Sequence, residues 1–134
     1  MHTDIRTAIV HAALEVQQRA YARYSQFRVG AALLASDGQV FTGCNVENAS
    51  YGLTICAERA AVFAAIAAGQ QRFELLAIAT RGGAMPCGAC RQVLAEFAPD
   101  LPILLIDSDQ PDRITEVNLR DLLPGAFAFS PPDP

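Results

Sequence analysis

The sequence has no hydrophobic run long enough for a membrane. Its longest uncharged apolar stretch, Ala60 to Ala68, falls far short of the roughly 20 residues a spanning helix needs. Basic residues are scarce. Lys and Arg number 10 against 14 Asp and Glu, giving a net charge of -4 and a pI near 5.0. A protein that grips phosphate backbones should be basic, so nucleic acid is excluded as the main partner. The opening segment Met1-His2-Thr3-Asp4-Ile5-Arg6 has no apolar stretch behind its charges, so no secretory signal is expected. A cytoplasmic location with reduced thiols follows as an expectation. Histidine is nearly missing: His2 is terminal, and His11 shares the polar side of its segment with Thr7, Glu15 and Gln18. Neither suits a Ser-His-Asp triad or a histidine zinc ligand. The phosphate-cradling G-x-x-x-x-G-K-[ST] pattern is absent, and Gly82-Gly83 alone reads as a turn. Repeats, linkers and low-complexity segments are absent too. One domain over 1–129 is expected, with a flexible tail 130–134 whose prolines remove donors and fix φ.

What is present is a chain rich enough in apolar residues to fold. The 134 residues are 51% hydrophobic and only 18% charged, which excludes intrinsic disorder. So low a charge density on a small domain hints that a partner covers some of its surface. Ile5, Ile9, Ala12, Ala13 and Val16 recur at helical spacing, predicting a helix from Asp4 to Ala20 with Thr3 as cap. Val29 to Ala35 and Val40 to Val46 flank the turn Ser36-Asp37-Gly38-Gln39 and predict a β-hairpin. An alanine-rich helix follows from Cys56 to Ala68, with Gly69 suited to the left-handed position after it. Phe73 to Thr80 and Pro102 to Asp107 read as buried strands, with a helix from Gly88 to Phe97 between them. A weak strand, Arg113 to Val117, leads to a helix capped by Asn118 with Asp121 three residues on. This order predicts an α/β fold: a three-layer α/β/α sandwich around a mixed five-stranded sheet.

Two short segments carry chemistry: Cys56-Ala57-Glu58-Arg59 and Pro86-Cys87-Gly88-Ala89-Cys90-Arg91. Each starts a predicted helix, so the thiols would sit at two positive helix ends, which favour the thiolate that binds zinc. Three thiolates leave one coordination position open, the mark of a catalytic rather than structural zinc. Glu58 is too close to Cys56 to be a comfortable fellow ligand, but well placed to exchange a proton with an activated water. The bland alternative is that these cysteines fill the core, as cysteine often does. The joint occurrence of C-x-E and P-C-x-x-C at helix starts weighs against it. Cys44, alone in the second strand of the hairpin, is expected to be a buried small hydrophobe.

Both segments resemble those of the cytidine deaminases. So do Tyr24-Ser25-Gln26-Phe27-Arg28-Val29-Gly30-Ala31-Ala32-Leu33 and Gly43-Cys44-Asn45-Val46-Glu47-Asn48-Ala49-Ser50-Tyr51-Gly52. The similarity is to the short, homotetrameric three-cysteine zinc class, and it extends to Leu122-Leu123-Pro124-Gly125-Ala126-Phe127. The resemblance implies one zinc per chain on Cys56, Cys87 and Cys90, with Glu58 as proton shuttle. It also implies Asn45 and Glu47 on the ribose hydroxyls, Phe27 against the pyrimidine, the backbone at Ala57 on the base carbonyl, and Arg59 hydrogen-bonded to the thiolates. Tyr51 and Phe127 would reach sites of neighbouring subunits. Plainer roles stand beside these: a polar turn for Asn45 and Glu47, a core aromatic for Phe27, a surface helix residue for Arg59, and packing on its own last helix for Phe127. One departure is visible, Met85 where the family usually has Ser before Pro-Cys. The implied activity is deamination of cytidine and 2′-deoxycytidine, a nucleoside reaction with no membrane or nucleic-acid partner. A relative acting on a nucleoside antibiotic, a nucleic-acid deaminase and a noncatalytic zinc-stabilised module are the competing readings. They are opposed respectively by Asn45-Val46-Glu47, by the acidic charge and by Glu58 with the open ligand position.

Overall fold

The computed structural model describes residues 3–130, so the predicted tail from Pro131 onward lies outside the described residues. In chain order the elements are α1 (Thr3–Gln17), β1 (Gly30–Ala35), β2 (Val40–Cys44), α2 (Ala57–Ala67), β3 (Phe73–Thr80), α3 (Gly88–Phe97), β4 (Pro102–Asp107), β5 (Ile114–Asn118) and α4 (Leu119–Leu122). The strands form one mixed sheet in the order β2-β1-β3-β4-β5. Only β3 and β4 run parallel, and α3 is the crossover that a parallel connection requires.

Strand alternation divides the core in two. Ala31, Leu33, Leu76, Ile78, Ile103 and Leu105 point to the side of α2 and α3. Ala32, Leu34, Leu75, Ala77, Leu104 and Ile106 point to α1, where Ile9 and Ala13 meet them. All six residues of β1 are buried, because helices cover both faces of this strand. The expected three-layer α/β/α sandwich is the observed one.

Element ends differ where tertiary bonds intervene. The first helix stops at Gln17 rather than Ala20: Gln18, Arg19 and Ala20 N–H groups bond three residues back, to Glu15, Val16 and Gln17, tightening its exit. Thr3 is already helical, so it is not the cap predicted for it. The hairpin strands are shorter than predicted, and Val46 instead bridges Tyr21 and Ile55. Asn118 caps the last helix as expected, its side chain accepting from Arg120 N. Gly69 is left-handed at φ +88, and the N–H groups of Gly69 and Gln70 close α2 onto Ile66 and Ala65, a Schellman ending.

One glycine sets the distance between α2 and the sheet. A Cβ on Gly43 would stand 2.5 Å from both Ala57 O and Ala61 N, so the helix lies directly on the β2 backbone. Gly43→Ala must push α2 outward. Thermal denaturation should show a loss of about 1–3 kcal/mol, the usual cost of overpacking. Turnover should fall with it, because α2 carries Cys56 and Glu58.

Candidate active site

The starts of α2 and α3 lie side by side on one face of the sheet. Cys56 is the N-cap of α2 and Cys87 the N-cap of α3, and Cys90 is buried within the first turn of α3. Sγ of Cys56 lies 3.7 Å from Sγ of Cys87, which lies 3.4 Å from Sγ of Cys90. All three sulfurs are within 4.8 Å of one another. Tetrahedral zinc with Zn–S bonds near 2.3 Å needs sulfurs about 3.8 Å apart, so the donor set and its spacing fit that ion. Arg91 braces the loop below Cys87, donating from Nε to Pro86 O at 2.8 Å and from Nη1 to Leu122 O at 2.9 Å.

The electrostatics favour thiolate at Cys56. Hydrogen bonding from the Cys90 thiol, then from Arg59, pulls the Cys56 thiol down to about 5. Its shared bond with Cys56, together with burial, pushes Cys90 the other way. Arg59 Nη2 donates to Cys56 Sγ at 3.3 Å, and its Nε is buried without a partner among the described residues. A metal trithiolate would otherwise carry a net negative charge, which this guanidinium offsets. Glu58 is 4% exposed. Burial, and then the neighbouring Cys56 charge, raises its carboxyl to about 6, close to the range in which an acid–base group works best at neutral pH.

These groups open onto a cleft of about 260 Å³, lined by Cys56, Ala57, Glu58, Cys87, Phe27, Asn45 and Glu47, with Met85 at its wall. Asn45 and Glu47 organise the facing lip. Asn45 Oδ1 accepts from Val29 N at 2.8 Å and its Nδ2 donates to Phe27 O at 2.8 Å. Glu47 accepts from Tyr24 N at 2.9 Å, from Ser25 N at 3.0 Å and from the Ser25 hydroxyl; that hydroxyl is the main cause holding its carboxyl below the usual range. An amide nitrogen has two hydrogens and a carboxylate about four acceptor sites. One amide hydrogen of Asn45 and one acceptor site of Glu47 therefore remain for a ligand, beside the second lone pair of Asn45 Oδ1.

The structure also places residues the sequence patterns did not single out. Thr54, Ile78, Thr80 and Ala84 line the cleft, and Thr80 Oγ1 accepts from Ala84 N at 2.6 Å. Ser25 was legible only as part of a motif; its grip on Glu47 spans 22 positions. Cys44 corrects an expectation. It is half-buried, because it ends an edge strand rather than entering the core, and it stands outside the three-sulfur cluster. Tyr51 and Phe127 lie outside the catalytic cleft and are 76% and 75% exposed. Tyr51 lines a neighbouring hollow with Tyr24, Ser25, Glu47 and Thr54. The Phe127 carbonyl accepts from Gln92 Nε2 of α3.

Residues 3–104 match the model of the cytidine and deoxycytidylate deaminase zinc-binding region. The chain belongs to that family. Within these deaminases it is 47% identical over 117 residues to the cytidine deaminase of Sporosarcina psychrophila, covering 85% of each chain. It is 52% identical over 112 residues to the cytidine deaminase of Mycobacterium tuberculosis, covering 82% of this chain and 80% of that one. The crystal structure of the Burkholderia pseudomallei cytidine deaminase superposes with a TM-score of 0.86 at 46% identity, covering 95% of this chain and all of that one. Zinc is the cofactor this deaminase domain takes. Among the described residues, no helix is long and apolar enough to cross a membrane.

Proposed function

We propose that the chain catalyses the hydrolytic deamination of cytidine and 2′-deoxycytidine to uridine and 2′-deoxyuridine, releasing ammonia, as a step of pyrimidine salvage. The observation that carries this reading is the convergence of Glu58, Cys56 and Cys87 on one cleft with Phe27, Asn45 and Glu47. Cys56, Cys87 and Cys90 hold one zinc ion. When bound, zinc supplies Lewis acidity that brings the ionisation of water toward neutral pH. The Glu58 carboxylate accepts a proton from the attacking water as its oxygen adds to C4 of the cytosine ring, and delivers that proton to N3. The second water proton travels by the same carboxylate to the exocyclic nitrogen, which leaves as ammonia. Asn45 and Glu47 take the ribose hydroxyls with their remaining donor and acceptor. Phe27 lies against the pyrimidine. The Ala57 N–H, one of the free donors in the first turn of α2, meets the base carbonyl.

The absorbance change of cytidine with a zinc count on the same preparation tests the activity. A zinc-replete protein that leaves cytidine and deoxycytidine unchanged would refute it. The enzyme works in the cytoplasm as a homotetramer. Tyr24, Tyr51, Leu53, Phe127 and Phe129 are exposed apolar residues whose cover is a second copy of the chain. Phe127 closes a neighbour's cleft and Tyr51 approaches that of another, excluding water where the Glu58 chemistry needs it excluded. Phe127→Ala should raise KM roughly tenfold, or about 1.4 kcal/mol, with zinc content intact. Sedimentation should give a tetramer of the 14.3 kDa chain; a fully active monomer at assay concentration sinks the shared site.

A further inference from the structure

The cleft runs between two lips that are built separately. One is the segment 24–29, fixed from below by Asn45 and Glu47. The other follows β3 and is fixed by its own turn. Gly82 and Gly83 take φ of +84 and +66, Asp107 Oδ1 accepts from Gly82 N at 3.0 Å, and Thr80 Oγ1 accepts from Ala84 N. Arg81 rises from this turn. It is exposed, and among the described residues it makes no ion pair. Its guanidinium carbon instead stands 5.7 Å from the centroid of the Phe27 ring, inside the roughly 6 Å within which a cation is attracted to an aromatic face.

We propose that Arg81 is a positioning residue for the nucleoside: its guanidinium, set over the Phe27 ring, ties the two lips together and holds that ring where the pyrimidine meets it. The inference rests on the reading of the cleft as a pyrimidine site. Arg81 stays exposed while it contacts the ring, so the contact costs little desolvation, and its value depends on whether the ring gains from being held. A half-buried phenylalanine at the mouth of a cleft does gain, since a free ring would have to be ordered each time a substrate binds. Arg81 reaches neither Glu58 nor the sulfurs through any bond, so its contribution is the same in the ground and transition states. Such uniform binding shows in KM and leaves kcat unchanged.

Steady-state kinetics on cytidine with the zinc-loaded enzyme test this in four variants: Arg81→Ala, Arg81→Lys, Phe27→Leu, and Arg81→Ala with Phe27→Leu. Arg81→Ala should raise KM about two- to fivefold, as an exposed cation–π contact supplies, with kcat and zinc content unchanged. Arg81→Lys, which keeps the charge, should recover most of the loss. In the Phe27→Leu background the arginine should no longer matter, because its partner is gone. An equal KM effect of Arg81→Ala in both backgrounds, or none in the native one, overturns the proposal. A Phe27→Leu enzyme with native KM overturns it as well, by removing the role of the ring. Failure of the activity itself would be read differently, as a zinc-loaded native enzyme that does not turn over cytidine.

Discussion

Glu58→Gln is expected to keep the fold and its zinc while losing at least 10² to 10⁴ in turnover, the range general acid–base help supplies. Glu58 lies in the first turn of α2, two positions after Cys56, and is almost wholly buried at the inner end of the cleft. Glutamine has the same shape, fills the same space and removes a charge that is costly to bury, so nothing in the packing should fail. What it lacks is a carboxylate that can take up and release a proton near neutral pH, and the reaction asks one group to take two protons from water and deliver them to two different nitrogens. Losing all those transfers places the expected loss at or beyond the top of the range. The acid side of the pH profile has the same origin. Burial raises the Glu58 carboxyl to about 6, and the form that accepts the first proton is the ionised one. Turnover of the native enzyme should therefore decline as pH falls through that region. Measuring kcat at equal zinc occupancy decides the matter: a Glu58→Gln or Glu58→Ala enzyme retaining a tenth of native turnover on cytidine would rule out the proton-shuttle mechanism.

The elements most legible in the sequence are those whose pattern is local. The strand Phe73–Thr80, the helix Gly88–Phe97 and the strand Pro102–Asp107 fall where predicted. Their apolar runs and periodicity leave one burial mode, and turn residues bound them on both sides. Helix endings written in a few neighbouring residues, such as Ala68-Gly69, were equally legible. The exit of α1 was not. Its apolar periodicity runs past Gln17, but the Gln17 side chain is drawn to Arg28 O at 3.1 Å and Ser108 Oγ at 3.0 Å, partners 11 and 91 positions away. The same division holds in the cleft. Three cysteines and a glutamate at two helix starts can be read from spacing, since a helix N-terminus fixes both charge and direction. The clasp of Ser25 on Glu47 and the Arg81–Phe27 contact have no such pattern. They exist only because β2, β3 and the intervening loops are brought together by the sheet. Cys44 shows the opposite error. A cysteine in a strand with no ligand partner at useful spacing reads as a buried small hydrophobe, but its strand lies at the edge of the sheet.

Cys90→Ala should strip the zinc and, with it, much of the stability of the protein. Cys90 is fully buried, and its sulfur is one of three that converge from the starts of α2 and α3. Removing it leaves two thiols at 3.7 Å, half of a tetrahedral site, beside a guanidinium that repels a cation no longer balanced by three thiolates. Because the sulfurs belong to segments 31 positions apart, an unfolded chain holds no comparable site, and binding free energy passes directly into folding free energy. At free zinc about 1,000-fold above Kd that stabilisation is roughly 4 kcal/mol. Two measurements separate lost metal from lost packing. Metal analysis should find close to one zinc per native chain and close to none in Cys90→Ala. Thermal denaturation should then give Cys90→Ala nearly the Tm of native protein treated with a chelator, since Cys to Ala alone changes little volume. Cys44→Ala is the control, because it removes a thiol of the same chain that faces no other sulfur; its zinc content should stay near native. A chain that lost its metal through Cys44→Ala and kept it through Cys90→Ala would place the ion somewhere other than at the paired helix starts.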